Sequence, residues 1–578
     1  MGCGHGDASD RGCVSPKVWR SFTEQPEWRG DSTRAAEFVG RRRSNYPSAE
    51  AFADEVEEAL KEQASRGQFL VLSETEAIAK YGTKLAIASL AALEKGTDAD
   101  GKVEVRIIHD GTNGVDVNRF IKVNDGSCCP TAADIKRVMQ AQRASGLPHF
   151  GLTLDVKEAH RAVAVRPEDW PLQACQVREG GSVYLNTRGT YGMASAAYWW
   201  GRLSAAVHRL SLMTLGRLGP WAKLFADDWD LNAGGSSFEL KLMAFAWLLV
   251  ALKVPLSWKK ARGGFVYCWV GLEVDLRSWA LGISASRAAW LVGWYNKVLD
   301  SNLVLMRELR EALGRMVFVY GAIKADKAFL APLFAFLSTR PLGACVEIPL
   351  YVRMVIIWLR DRLIQRRVQE IAVAQPNHGA LFRVDAKAEG MTVAIGGWAP
   401  VVGHDGGLRT DLSKWFSLRL TPADAPWAFA KGLPARSISA LELLASTVGL
   451  VLLAPEVEPG RAAVVTTGWT DSQVATAVVS KGISSTFPLC CVAMELAAQQ
   501  EARGLELGLE WAPRDRNAEA DALADGRTDG FNPDLRVGGK LSDIKWLVLP
   551  GLLQAGEAFY SLTASAPRSR RKAVRQKP

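Results

Sequence analysis

Two adjacent carboxylates inside an apolar stretch restrict the fold of this chain more than any other feature. The segment Trp221-Ala222-Lys223-Leu224-Phe225-Ala226-Asp227-Asp228-Trp229-Asp230-Leu231 is apolar on both flanks of the Asp227-Asp228 pair. That pattern predicts a β-hairpin with buried arms and the acids at its turn. Two carboxylates held there repel each other, and a hard, oxygen-preferring divalent cation such as Mg²⁺ relieves the repulsion. A solvated Asp-Asp turn is the simpler account of an isolated pair, so the surrounding sequence decides.

The chain has 578 residues, more than one hydrophobic core usually organises. With 48% hydrophobic and 23% charged residues it reads as globular. The apolar run Leu242 to Leu252 ends at Lys253, too short to cross a bilayer. The N-terminus has no apolar segment of the secretory kind, which gives the expectation of an intracellular protein without a membrane partner. Nine cysteines include the pairs Cys128-Cys129 and Cys490-Cys491 but no CxxC, so neither a zinc site nor a disulfide framework is indicated. Cys3, His5 and Cys13 lack a fourth ligand at usable spacing. A net charge of +9 favours a polyanionic partner.

Periodicity divides the chain into an α+β multidomain protein. Residues 1–48 read as a flexible leader and 49–99 as a helical extension, with Phe52, Val56, Leu60, Ala77, Leu85, Ile87 and Leu90 at helix-like intervals. Strands are expected at 103–108, 150–155, 183–185 and 266–274, and helices at 132–144, 194–212 and 238–252. A mixed region thus covers 100–283, and a helical block covers 284–375. Gln375-Pro376-Asn377-His378-Gly379 carries turn chemistry, and a second mixed region, 379–530, follows. Residues 531–578 form a C-terminal extension ending in a basic tail that includes Arg568, Arg570, Arg571 and Lys572. Such a tail is a solvated terminus, an electrostatic arm for nucleic acid or a targeting signal.

Upstream of the acid pair, Gly151-Leu152-Thr153-Leu154-Asp155-Val156 is an alternating strand ending in an acid. Asp155 can face the same metal as Asp227 if the strands are neighbours, with the Val156 backbone carbonyl beside it. Two-metal phosphoryl transfer needs that arrangement, since one ion acidifies the attacking hydroxyl and the other stabilises the leaving pyrophosphate. Alone, Asp155 would be a strand-end cap. Between the acids, Arg188-Gly189-Thr190-Tyr191-Gly192-Met193-Ala194 is a glycine-punctuated turn opening a small-residue helix, suited to close approach of a template strand or nucleotide. Pro255-Leu256-Ser257-Trp258-Lys259-Lys260 and Cys268-Trp269-Val270-Gly271-Leu272 follow.

In order and residue type, residues 100–340 resemble reverse transcriptases, especially those of gypsy-type and DIRS-type retroelements. The resemblance implies a right-hand polymerase with fingers, palm and a helical thumb. It implies that Asp155, Asp227 and Asp228 are catalytic and that Arg106 contacts the triphosphate. Tyr191 and Gly192 match the template- and nucleotide-contacting motif, Lys259 or Lys260 the lysine that assists pyrophosphate departure, and Trp269, Val270 and Gly271 the primer grip. Two positions depart from the pattern. His160 stands where the family usually places the aromatic that excludes a ribose 2′-hydroxyl, and Tyr191 replaces the usual Gln or Phe.

In the second mixed region, Asp385 ends a strand-like run, Glu442 lies among Leu441, Leu443 and Leu444 on a helix, and Asp471 and Asp521 follow. Taken singly, each is a surface acid or a cap. A partly buried Glu442 needs a partner, of which a metal is one candidate. The Asp, Glu, Asp, Asp order resembles the RNase H domain, which accompanies reverse transcriptases. It implies an RNase H-like α/β domain whose four carboxylates hold two Mg²⁺ ions, with Mn²⁺ as an alternative. The long interval from Asp385 to Glu442 suggests an insertion around 404–427, and Arg514 and Arg516 occupy the neighbourhood of the family's mobile His.

The resemblances together imply an RNA-directed DNA polymerase with RNase H activity, retroelement-derived. Its partners would be an RNA template, a DNA primer, an RNA-DNA hybrid and dNTPs, held mainly by phosphate and shape contacts. The alternative is a decayed nucleic-acid-binding relic that keeps the fold. Neither a recombinase or integrase constellation nor the Asp-Thr/Ser-Gly tripeptide of a retropepsin occurs.

Overall fold

The computed structural model describes residues 44–97, 103–121, 123, 125–126, 128–371, 380–430, 432–454 and 464–564. The leader up to residue 43, with Cys3, His5 and Cys13, the 375–379 turn and the basic tail lie outside the described residues. The chain forms two compact units: Met1–Pro130 with Pro148–Phe265, and Thr131–Leu147 with Val266–Pro578.

Among the described residues the first unit holds nine strands: β1 (Phe69–Leu72), β2 (Ile87–Thr97), β3 (Val103–Asp110), β4 (His149–Asp155), β5 (Ala174–Gln176), β6 (Val183–Asn186), β7 (Trp221–Phe225), β8 (Asp228–Gly234) and β9 (Arg262–Gly264). One sheet has the order β1-β6-β5-β2-β3, the other β7-β8-β4-β9. The helical reading of 49–99 is corrected here. Helices occupy Pro47–Ala51, Ala53–Ser65 and Glu74–Tyr81, but 69–72 and 87–97 are strands. Leu90 and Ala92 bury against Phe69 and Tyr184 in a shared core, and this sheet contact outweighs the helix preference of the Ala, Leu and Glu residues around them.

In the other sheet, Trp229, Leu231 and Ala233 of β8 alternate toward one face. They form a core there with Trp200 of the Ala194–Leu215 helix and Phe245 and Leu249 of the Phe238–Ala251 helix. The opposite face is polar. Lys223, Asp230 and Asn232 are buried on it, with the Lys223 ammonium 2.9 Å from Asp230 and donating to Asn232 Oδ1 at 2.7 Å.

The second unit contains β10 (Val266–Trp269), β11 (Leu272–Asp275), β12 (Ala280–Ile283), β13 (Leu303–Leu305), β14 (Cys345–Glu347), β15 (Val368–Glu370), β16 (Phe382–Glu389), β17 (Thr392–Trp398), β18 (Trp415–Leu420), β19 (Val464–Thr470) and β20 (Leu505–Trp511). The order β10-β11-β12-β15 moves the expected boundary at 283/284 back to 265/266. The sheet begun at Val266 is completed by a strand from the far end of the helical block, so both ends of that block belong to one unit. Between them lie the helices Ala285–Ser301, Met306–Ala322, Leu330–Leu337 and Leu350–Gln365.

The last sheet has the order β18-β17-β16-β19-β20, with β16, β19 and β20 parallel and β17 and β18 antiparallel. Within the expected insertion at 404–427, Trp415–Leu420 pairs along β17 as the edge strand of this sheet. Pro434–Leu453 is the one helix among the described residues long and apolar enough to cross a membrane by length and composition, and 67% of that window is buried. The unit also extends beyond residue 530. Phe531 packs on Trp398 and Trp415, and the Leu549–Ala564 helix begins where buried Glu495 accepts from the N–H groups of Leu547, Val548 and Leu549 at 3.0, 2.8 and 2.8 Å.

Candidate active sites

The acid pair sits at the tip of the β7–β8 hairpin, where Phe225 pairs with Asp228 and Ala226-Asp227 make a two-residue turn. Ala226 has φ 54°, in the left-handed region that a non-glycine residue occupies at a cost. Its carbonyl accepts from the Trp200 indole at 3.1 Å, which fixes the turn against the core helix. In the neighbouring strand Asp155 is the register partner of Asp228, and the Val156 N–H donates to the Asp227 carbonyl at 3.0 Å. Asp155 and Asp228 thus stand side by side on neighbouring strands, with Asp227 in the turn next to them.

Burial pushes the Asp228 carboxyl up to about 6, reinforced by Asp227 and Asp155, and the Asp155 and Asp228 side chains are hydrogen-bonded. Asp227 is raised as well, first by burial. Of the two candidate lysines, Lys260 reaches the cluster. Its Nζ lies 2.9 Å from Asp155 Oδ2, a bond that raises the lysine's own pKa. The short 3-10 turn Trp258–Lys260 decides between the two, and the Lys259 carbonyl instead accepts from Arg262 at 2.8 Å.

Beside the acids the His160 and Tyr191 rings lie 4.4 Å apart between centroids, and the Arg106 guanidinium stands 5.3 Å from the Tyr191 ring centre. Burial holds His160 below the usual imidazole range, against the opposing pull of Asp227. Gly192 has φ 97°, and a Cβ there would come within 1.7 Å of the His109 carbonyl oxygen, so only glycine fits. Asn118 ties this turn to the helix it precedes, donating to the Gly192 carbonyl at 2.7 Å and accepting from the Ala194 N–H at 2.9 Å. Trp269, Val270 and Gly271 lie in the second unit, at the tight β10–β11 turn, with φ 44° at Val270 and 84° at Gly271.

The second group of acids gathers around β16. Asp385, on that strand, is buried, and burial together with hydrogen-bonded Asp471 raises its carboxyl. Asp471 follows β19, and its carbonyl accepts from the Trp511 indole at 2.9 Å. Glu442, on the Ile438–Leu453 helix, is raised by burial and accepts from the Ser472 hydroxyl. Asp521 sits on the Ala518–Ala524 helix and accepts from Arg514 Nε at 3.0 Å, with Arg527 3.5 Å away. The bond to Asp521 raises Arg514 further. Arg516 does not join, and its carbonyl accepts from Arg383 at 2.8 Å.

Both donor sets are hard oxygen ligands, and both contain carboxyl pairs close enough to share a proton, a repulsion that a divalent cation relieves equally well. In that respect the residues fit Mg²⁺. Among the described residues no three His, Cys, Asp or Glu side chains converge as a ready metal cage, and Lys260, Arg514 and Arg527 supply positive charge instead. Sequence reasoning missed Trp200, Ser472, Trp511 and Arg527. Only Ser472 carried a local signal, as the residue next to Asp471; the others reach their partners across the fold.

No protein-family model matches the chain, and no curated protein does. Among solved structures it is similar to the foamy viral protease-reverse transcriptase dRH in complex with double-stranded DNA, at TM-score 0.43 and 12% identity, over 81% of this chain and 70% of that one. The same protease-reverse transcriptase with an RNA/DNA hybrid gives 0.42 and 12%, over 81% and 55% of the two chains. With double-stranded DNA it gives 0.41 and 12%, over 82% and 84%. What the chain is similar to, at 12% identity, is thus the foamy viral protease-reverse transcriptase.

Proposed function

We propose that the protein is an RNA-directed DNA polymerase with a linked RNase H activity, derived from a retroelement of the gypsy or DIRS type. On this reading the first unit supplies fingers and palm, and the second supplies a helical thumb and an RNase H-like domain. The observation that carries the reading is Asp155 and Asp228 in register on neighbouring strands, with Asp227 in the hairpin turn beside them. Asp385, Glu442, Asp471 and Asp521 support the second activity.

Asp155, Asp227 and Asp228 would hold Mg²⁺, with the Val156 carbonyl beside them, and Asp385, Glu442, Asp471 and Asp521 would do so in the second unit. When bound, such ions acidify the attacking hydroxyl or water and neutralise the leaving group. The chain's residues do the rest. Lys260, now on Asp155, can turn its ammonium to a departing pyrophosphate, and Arg106 offers a bidentate fork to a triphosphate. His160, packed on Tyr191, offers a flat ring to the sugar of an incoming dNTP. Ser472 orients Glu442. The substrate is an RNA template with a DNA primer, then the RNA-DNA hybrid.

A second reading, a nucleic-acid-binding relic, is favoured by one observation: Asp155 and Asp521 are ion-paired to the chain's own Lys260, Arg514 and Arg527. Primer extension on poly(rA)·oligo(dT) with Mg²⁺ separates the two, comparing the intact protein with Asp227→Asn. The polymerase reading requires extension that Asp227→Asn abolishes while hybrid cleavage stays within a few-fold. Hybrid binding without extension by the intact protein favours the relic.

A further inference from the structure

Among the described residues Asp521 is the one acid of the second site that carries an ion pair, whereas Asp385, Glu442 and Asp471 lean on a hydroxyl, on backbone and on one another. Arg514 donates to a single oxygen of Asp521, Oδ1, from both Nε and Nη2, the Nε bond being 3.0 Å long. Asp385 and Asp471 act on the same guanidinium through space, so Arg514 brings its charge to three of the carboxylates that a divalent ion would join. The two partners differ in freedom. The Asp521 side chain is 20% exposed and fixed on the Ala518–Ala524 helix, while that of Arg514 is 76% exposed, on the short 3-10 turn Arg514–Arg516. Arg527, the other cation in reach, is already committed, since its Nη2 donates to Asp525 Oδ2 at 2.8 Å and stands 3.5 Å from Asp521. An exposed pair such as Arg514–Asp521 is held weakly, and a phosphate suits the same planar fork.

We propose that Arg514 is a displaceable counter-cation: it holds Asp521 Oδ1 in the metal-free protein, yields that oxygen to a divalent ion, and turns its freed guanidinium to a phosphate of the RNA-DNA hybrid. The inference rests on the reading of these four acids as a metal site. One guanidinium cannot serve the Asp521 carboxylate and a phosphate at once, so an ion that frees Arg514 strengthens the hold on the hybrid. By linkage, bound hybrid strengthens the hold on the ion to the same degree. The site therefore fills when hybrid arrives, and the ion pair that favours the relic reading becomes the resting state of a working enzyme. Arg514 is suited to this part because its charge is permanent and its side chain is free to turn, whereas Arg527 stays on Asp525.

Calorimetric titration of the full chain with Mn²⁺ tests the proposal, alone and with a hybrid of 2′-O-methyl RNA and DNA that is not hydrolysed. Asp471→Asn marks which bound ions belong to the second site. Arg514→Gln should tighten these ions about fivefold in the protein alone, because it removes both a competitor for Asp521 and its repulsion of the ion. Hybrid should tighten them further, and about fivefold more in wild type than in Arg514→Gln, since only the wild type has a guanidinium to exchange. Arg516→Gln removes the same charge from the same turn and should behave as wild type. Equal Mn²⁺ affinity in wild type and Arg514→Gln, the same gain for Arg516→Gln, or an equal effect of hybrid on wild type and Arg514→Gln would each overturn the proposal while Asp471→Asn still loses its ions. Ion binding unchanged by Asp471→Asn would instead overturn the metal reading of the site, and this inference with it.

Discussion

Replacing Asp228 by asparagine should stabilise the metal-free protein while removing DNA synthesis. The folded site holds this carboxyl up to about 6 against an ordinary 3.8, chiefly through burial. The folded state therefore keeps a proton that the unfolded chain gives up, and stability falls as pH rises through that interval. Two pKa units correspond to about 3 kcal/mol, and partial solvent access at the hairpin tip reduces this to about 1.5 kcal/mol. Asparagine has the shape of the protonated acid and no charge to bury. In EDTA near pH 8 the Asp228→Asn protein should melt about 3 to 6 °C above wild type, and near pH 5 the difference should shrink toward zero. Adding Mg²⁺ at the higher pH should raise the wild-type melting temperature more than that of the variant, since only a ligand that prefers the folded state shifts the transition. Melting by intrinsic fluorescence at the two pH values, with and without Mg²⁺, reads all of this. If Asp228→Asn melts at or below wild type near pH 8 in EDTA, the three acids do not strain one another and the argument for a cation between them fails.

Glu442→Gln should abolish cleavage of RNA in a hybrid and leave primer extension unchanged, because the amide keeps an acceptor for the Ser472 hydroxyl while losing the charge; persistent cleavage would make Glu442 a core acid only. His160→Ala should raise ribonucleotide over deoxyribonucleotide incorporation by about one to two orders of magnitude, each tenfold step needing about 1.4 kcal/mol, and His160→Tyr should lower it. Single-nucleotide extension with dNTP and rNTP decides this, and an unchanged ratio for both variants would place His160 outside the sugar pocket. Hybrid affinity should fall steeply between about 50 and 200 mM salt, with a slope set by the phosphates neutralised, and a flat response would make the net charge incidental.

The parts of this structure legible in the sequence are those where local pattern and tertiary demand agree. Apolar runs on both sides of Asp227-Asp228 specify a hairpin with the acids at its turn, and alternation up to Asp155 specifies the strand beside it. The 132–144 helix follows from periodicity alone. Ile87–Thr97 was not legible, because its alanines, leucines and charged residues suit a helix and only pairing with β3 and β5 makes it a strand. Nor was the unit boundary, which depends on β15 returning to β12 across the intervening residues 284–367. The choice of Lys260 over Lys259 rests on which way one short turn points, and the pairing of Arg514 with Asp521 on the rotation of a seven-residue helix. Such angles are set by packing and leave no mark on composition or spacing.

The Thr131–Leu147 segment is counted with the second unit although the chain on both sides of it belongs to the first. Its helix buries Ile135 and Met139, and Arg143 donates to the Ile371 carbonyl at 3.0 Å and pairs with Glu370. The polypeptide therefore passes between units three times, near residues 130, 147 and 265. A cut near 130 or 147 leaves a fragment with pieces of both units, and a cut near 265 leaves Val266–Pro578 held only by its packing on residues 131–147. Truncation behind Phe265 is worse than a clean division, for it strands a helix whose apolar side and arginine have lost their partners. Dissecting the two activities calls for point substitutions in the whole chain, or for an excised second unit carrying residues 131–147 on a new linker.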